Sequence, residues 1–433
     1  MAGRYTWLSR ALPIGARSGH DLPMPDELLL PGMAAIEHEF DIPLDHDDGN
    51  GERITVFARE LALPDGRDRP FLVFLQGGPG FEASRPTRHP NGPGWLDRAL
   101  EDFRVLMLDQ RGTGRSSPIG TLPGRTPQEQ AEYLTHFRAD SIVRDAEWIR
   151  RELGVERWSV LGQSFGGMCV TTYLSLAPDG LREAFLTGGL PALGPRIDEV
   201  YERTYARVCE RNRRYYERYP ADRERVLRLH EQVEADAFEL PSGDRLTWRR
   251  FRQLGQMLGT SDGAEHLHYV LELPPDSPGF RHDLESAVSF ARNPLYAVLH
   301  EASWADGGTT RWSAARVLPP EFDAAEMFTG EHVFPWMFED YGALSPLREA
   351  AELLAQREWP RLYDPDVLER NDVPVAAAIY ANDMYVERSF SEETAERIRG
   401  ARAWITNEYE HNGLRVDGER ILGRLIDLAR GPA

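Results

Sequence analysis

The chain has 433 residues, and its 50 Lys and Arg against 70 Asp and Glu leave a formal net charge of −20. That balance argues against a nucleic-acid partner, whose binding rests on phosphate neutralisation by cations. A content of 41% hydrophobic and 28% charged residues suits a soluble globular protein of one large or two ordinary domains. No run of eighteen apolar residues is present to span a membrane, and the N-terminus lacks the sustained apolar stretch of a secretory signal. Two cysteines, Cys169 and Cys209, make no disulfide framework and suit a reducing compartment, so the cytoplasm is expected.

Residues 1–30 have no clear periodicity and read as an extension. Partial alternation predicts two early strands over Met33 to Asp45 and Arg53 to Leu63. "PFLVFLQ" (Pro70 to Gln76) is a near-continuous apolar run that suits a buried parallel strand, and it ends in Gly77-Gly78-Pro79-Gly80. Another strand, Phe103 to Leu108, runs into the glycine-bearing loop of "DQRGTGRSSP". A helix is predicted over Ala139 to Leu153, a strand from Trp158, a helix over Met168 to Leu176, and a strand end at Thr187 to Leu190. After Pro191 the strand period disappears. Residues 195–235 read as long helices rich in Arg, Glu and Tyr, in which Arg211-Asn212-Arg213-Arg214 reads as a solvated face, and helices with loops continue to about 345. Strand signals return at Val373 to Tyr380 and Ala401 to Thr406, before a closing helix from Gly418 to Arg430. The order predicts an α/β core with a mainly parallel sheet, formed by 1–190 and 346–433, and an inserted, mostly helical cap over 191–345.

"LGQSFGGM" (Leu161 to Met168) puts Ser164 between Gly162 and Gly166 at a strand-to-helix turn. This G-x-S-x-G pattern is a nucleophile elbow, in which strand and helix approach too closely for side chains on the glycines. A serine hydroxyl is a weak nucleophile at neutral pH and needs a base, which needs an orienting carboxylate. In such folds the partners follow in the order serine, acid, histidine, each after a late strand. Asp383 follows the strand ending at Tyr380, with Asp372 and Asp366 as nearby competitors, and His411 follows the strand ending near Thr406. Taken singly, each of these residues reads equally as a turn or loop residue; the joint order makes Ser164, Asp383 and His411 the expected triad. The oxyanion donors expected are the backbone N–H groups of Phe165 and Gly78, although GGPG alone is also an ordinary turn.

Three segments, "QGGPG", "DQRGTGRSSP" and "GQSFGG", resemble those of the proline iminopeptidases, and "GEHVFPWMFE" and "YEHNGLR" resemble a longer bacterial branch of that family. The resemblance spans about Leu72 to Arg415 in separated motifs. Shorter members usually carry His and Trp where this chain has Gln76 and Phe165, a departure that bears on pocket shape and leaves the backbone donors in place. The resemblance implies an α/β hydrolase with a helical cap that releases N-terminal proline from peptides. It also implies cap glutamates that hold the free substrate amine. By motif these are Glu301 in "LHEASW" and Glu331 in "TGEHVF", with Glu339 in reserve. In a chain this acidic, a solvated or ion-paired helix glutamate is the plain alternative for each.

No cofactor or metal is expected: there is no phosphate-loop spacing and no zinc-site spacing, and His266-Leu267-His268 suits neither. Arg111 and Arg115 read as braces of their loop rather than substrate contacts. Cys169 reads as a small core residue or part of the pocket floor. An esterase or a broader aminopeptidase with the same triad remains open, and beyond these a hydrolase-fold binding protein without turnover.

Overall fold

The computed structural model describes residues 27–88, 92–235 and 238–431, so the greater part of the expected N-terminal extension lies outside the described residues. Nine strands are present among the described residues: β1 (Glu27–Leu30), β2 (Met33–Pro43), β3 (Arg53–Ala62), β4 (Phe71–Leu75), β5 (Arg104–Leu108), β6 (Trp158–Gln163), β7 (Leu181–Thr187), β8 (Val375–Tyr380) and β9 (Arg402–Thr406). They form one sheet in the order β1-β2-β3-β5-β4-β6-β7-β8-β9. The pairs from β1 to β3 and on to β5 are antiparallel; those from β5 through β4, β6, β7 and β8 to β9 are parallel.

Strand β4 is apolar throughout, and β5 is apolar after Arg104, because helices cover both faces of the sheet. Alternate residues divide between the two layers. Val73, Leu75, Val160 and Leu186 pack on one side, with the helix Ala139–Glu152 and the helix Phe165–Leu176. Leu72, Phe74, Leu161 and Phe185 pack on the other, with the helices Leu96–Asp102 and Gly418–Arg430. The strand expected to end at Thr187 to Leu190 lies earlier, at Leu181–Thr187. Its polar start hid it: Glu183 is buried but satisfied by Arg430 and Ser159, and Gly188, at φ +51°, turns the chain out of the sheet. The run between β7 and β8 is helical, with strand pairing among the described residues limited to the bridges Glu239↔Arg245 and Gly308↔Trp359.

From β4 the chain crosses to β5 on one side and returns to β6 on the other. Such a reversal opens a crevice at the carboxyl ends of the strands, where ligands bind in open α/β sheets. Ser164 and the Gly77-Gly78 loop both sit at that edge. Among the described residues, no helix is long and apolar enough to cross a membrane.

Candidate active site

Ser164 has φ +56° and ψ −124°, a conformation rare for a residue with a side chain. Three backbone bonds hold it there: its N–H donates to Thr187 O at 3.0 Å, and its carbonyl accepts from Gly167 at 2.7 Å and Met168 at 3.3 Å. The glycines make the turn possible. A Cβ on Gly162 would lie 2.3 Å from Gly166 O, and one on Gly166 only 1.9 Å from Leu75 O. The helix starts at Phe165 rather than at the Met168 expected from periodicity, so Phe165 N–H occupies the first helical position and has no intrahelical acceptor.

His411 Nδ1 lies 2.6 Å from Asp383 Oδ2. A carboxylate partner fixes the proton on Nδ1 and leaves Nε2 as acceptor. Asp383 is itself oriented, since its Oδ1 accepts from the N–H groups of Tyr385 at 2.8 Å and Val386 at 3.1 Å. The Tyr385 ring stands edge-on to the imidazole at 4.8 Å, and a Cβ on Gly188 would sit 3.2 Å from His411 Nδ1. Burial pushes the His411 pKa down, but the charge and hydrogen bond of Asp383, joined by the charge of Glu331, hold it above the ordinary value. The competing acids stand elsewhere: Asp372 pairs with Arg399, and Asp366 lies in the helix Pro365–Glu369.

Ser164 and His411 line one cavity of about 450 Å³ together with Gln76, Gly77, Gly78, Phe290, Tyr296 and Glu331. Gly78 is at φ +137°, and a Cβ there would come within 2.9 Å of the Phe81 ring. The loop is pinned from the helical run between β7 and β8, where Asn293 donates to Gly80 O at 2.6 Å. Arg111 binds Asp145 and the carbonyls of Pro43, Leu44 and His136, and Arg115 binds Glu37 and Glu39, so both brace the early strands. Cys169 is fully buried in the core and is not among the cavity-lining residues; burial pushes its thiol up.

The two expected glutamates part company. Glu331 lines the cavity, with its side chain 24% exposed. Its Oε1 accepts from the Tyr296 hydroxyl at 2.6 Å, and its Oε2 is 3.9 Å from His300 Nε2. Burial raises its pKa, but His300, His411 and the Tyr296 hydroxyl outweigh that and hold the carboxyl below the usual value. Glu301 is 5% exposed and lies outside that cavity. It accepts from Ala314 N–H at 2.9 Å, its other oxygen has no partner among the described residues, and burial pushes its pKa up. It follows His300 directly on the helix Pro294–Trp304, so the two side chains leave the helix about 100° apart. Glu339 pairs with Arg348 at 2.8 Å.

The helical run between β7 and β8 does more than line the cavity. Arg211, read from sequence as part of a solvated face, has only 13% of its side chain exposed and reaches Glu410 and Asn382 O, next to His411 and Asp383 respectively. Arg213 and Arg214 do pair on the surface with Glu210. His411 N–H donates to Gly259 O at 3.2 Å, and the Tyr385 hydroxyl donates to Gln256 O. No periodicity signals these contacts, because each joins segments far apart in sequence.

Residues 70–411 match the family model described as the alpha/beta hydrolase fold, which agrees with the sheet and the elbow. The chain is therefore an α/β hydrolase. It is 49% identical to a proline iminopeptidase of Aeromonas sobria over 424 residues, covering 94% of this chain and 99% of the relative. A proline iminopeptidase of Aspergillus aculeatus is 35% identical over 420 residues, covering 90% of this chain and 93% of that one. The chain belongs to the proline iminopeptidase family and is an aminopeptidase.

Proposed function

We propose that this enzyme releases N-terminal proline from peptides through a Ser164-His411-Asp383 acyl-enzyme mechanism. The observation that carries this reading is the shared cavity: Ser164, His411 and Glu331 all line it, and Glu331 is its only lining carboxylate among the described residues. Ser164 Oγ attacks the carbonyl carbon of the first residue while His411 Nε2 takes the hydroxyl proton. Asp383 keeps the imidazole in the required tautomer and stabilises the imidazolium. The oxyanion is received by the N–H groups of Phe165 and Gly78. The C–N bond then breaks as His411 returns the proton to the departing amine. Water, deprotonated by His411, attacks the ester, and proline leaves with Ser164 restored.

Glu331 holds the cationic imino group of the substrate in this reading. A carboxylate held below its usual pKa beside a tyrosine hydroxyl, in the cavity it shares with Phe290 and Tyr296, suits a secondary ammonium through charge-assisted hydrogen bonds. Glu301 is buried outside the cavity and has no part in amine binding in this reading. The names of the relatives support proline as the released residue.

The test is hydrolysis of a proline chromogenic amide beside its N-acetylated form and an acyl ester. Rapid cleavage of the free-amine amide alone supports the reading. Equal cleavage of the blocked amide, or ester cleavage alone, overturns it.

A further inference from the structure

The cavity also carries a cation that this mechanism leaves idle. Arg415 lines it, is exposed, and sits on the one-turn helix Gly413–Val416, four residues after His411. Among the described residues its guanidinium has no hydrogen bond or ion pair, and among those lining the cavity it is the only lysine or arginine. Neighbouring arginines are engaged: Arg420 pairs with Glu408 and Arg211 with Glu410. A chain with twenty more acids than bases offers partners readily, so a free guanidinium at the site is available to a ligand. His411 experiences the charges of both Arg415 and Glu331, in opposite directions. The cavity thus presents a carboxylate and a guanidinium, with the proposed nucleophile and base in the same chamber.

Resting on the aminopeptidase reading, the geometry points to Arg415 as a subsite for the C-terminal carboxylate of short substrates. The preferred substrates are then proline-initiated di- and tripeptides. A guanidinium presents paired donors that match a carboxylate, and the terminal carboxylate is the one anion every short peptide carries. His411 and Arg415 stand four residues apart and line the same cavity. Two extended residues span about 7 Å. The carboxylate of a short leaving group therefore falls near the guanidinium, whereas that of a longer peptide is carried past it into solvent.

The experiment compares kcat/KM for Pro-Ala with that for Pro-Ala amide, in the wild type and in Arg415→Gln and Arg415→Lys, with proline p-nitroanilide run alongside. The ratio of free acid to amide within each protein cancels any effect common to both substrates. For an exposed ion pair the wild type should favour the acid about fivefold, mainly through KM. The ratio should fall to near one in Arg415→Gln, be partly kept in Arg415→Lys, and decline in the wild type as salt rises. A wild-type ratio near one, or a ratio unchanged by Arg415→Gln, overturns the subsite while leaving the aminopeptidase reading intact. Failure of the wild type to cleave the p-nitroanilide overturns that underlying reading.

Discussion

Arg211 donates to the backbone carbonyl of Asn382 over 2.7 Å, and the same guanidinium pairs with Glu410. One side chain from the helix Ile197–Arg218 thereby ties the loop of Asp383 to the loop of His411. Replacing it with alanine frees both loops, and a misplacement of about 1 Å at a reacting group can cost about a hundredfold in rate. Arg211→Ala is expected to lower kcat by about ten- to a hundredfold with a smaller change in KM. Steady-state kinetics check this, and a kcat within twofold of wild type would remove the clamp from the mechanism.

Ser164→Ala should lose about a millionfold in turnover, by analogy with other serine hydrolases. The variant keeps the strained backbone, because alanine at φ +56° gains no relief, so its melting temperature should stay close to that of the wild type. Labelling by a fluorophosphonate probe should vanish with it. Persistent labelling would move the nucleophile elsewhere.

The glutamates should separate cleanly. Glu331→Gln removes the charged acceptor proposed for the substrate amine, worth roughly 1.5–3 kcal/mol or ten- to a hundredfold in binding. Glu301→Gln keeps an acceptor for Ala314 N–H and lies outside the cavity, so KM for a proline amide should change less than twofold. Comparable KM effects in both variants would return Glu301 to the amine site.

The pH profile follows from the same charge. His411 must be neutral to act as base, and its pKa is raised in the free enzyme, so activity in kcat/KM should rise only above the ordinary histidine range. A bound substrate cation offsets the charge of Glu331, so the acid limb of kcat should lie at lower pH than that of kcat/KM. In Glu331→Gln the acid limbs of both kcat/KM and kcat should move to lower pH, because the charge that raises the His411 pKa is missing from the free enzyme and from the complex. Unchanged limbs in that variant would break the proposed coupling.

Gly166→Ala should be severe for stability as well as activity. Its Cβ would stand 1.9 Å from Leu75 O, a backbone atom of a central strand that has no room to withdraw. Overpacking of this kind costs about 3 kcal/mol. The shift of the urea midpoint measures it, and a loss below about 1 kcal/mol would mean that helix and strand tolerate separation.

The sequence by itself determined what is local or strictly ordered. The apolar run of β4, the glycines around Ser164 and the chain order serine, acid, histidine are all short-range patterns, and they led to the elbow and to the Asp383–His411 pair. Period and order carry that information because one backbone geometry imposes it. Only the tertiary structure decided which side chains face the cavity. Glu301 and Glu331 each stand among apolar residues in sequence, yet one points to a backbone N–H and the other into the chamber. The same holds for Arg211 and Arg415, one drawn between two loops and one without a partner among the described residues. Their partners lie on segments distant in the chain, and helix orientation, which no local pattern records, determines which of them meet.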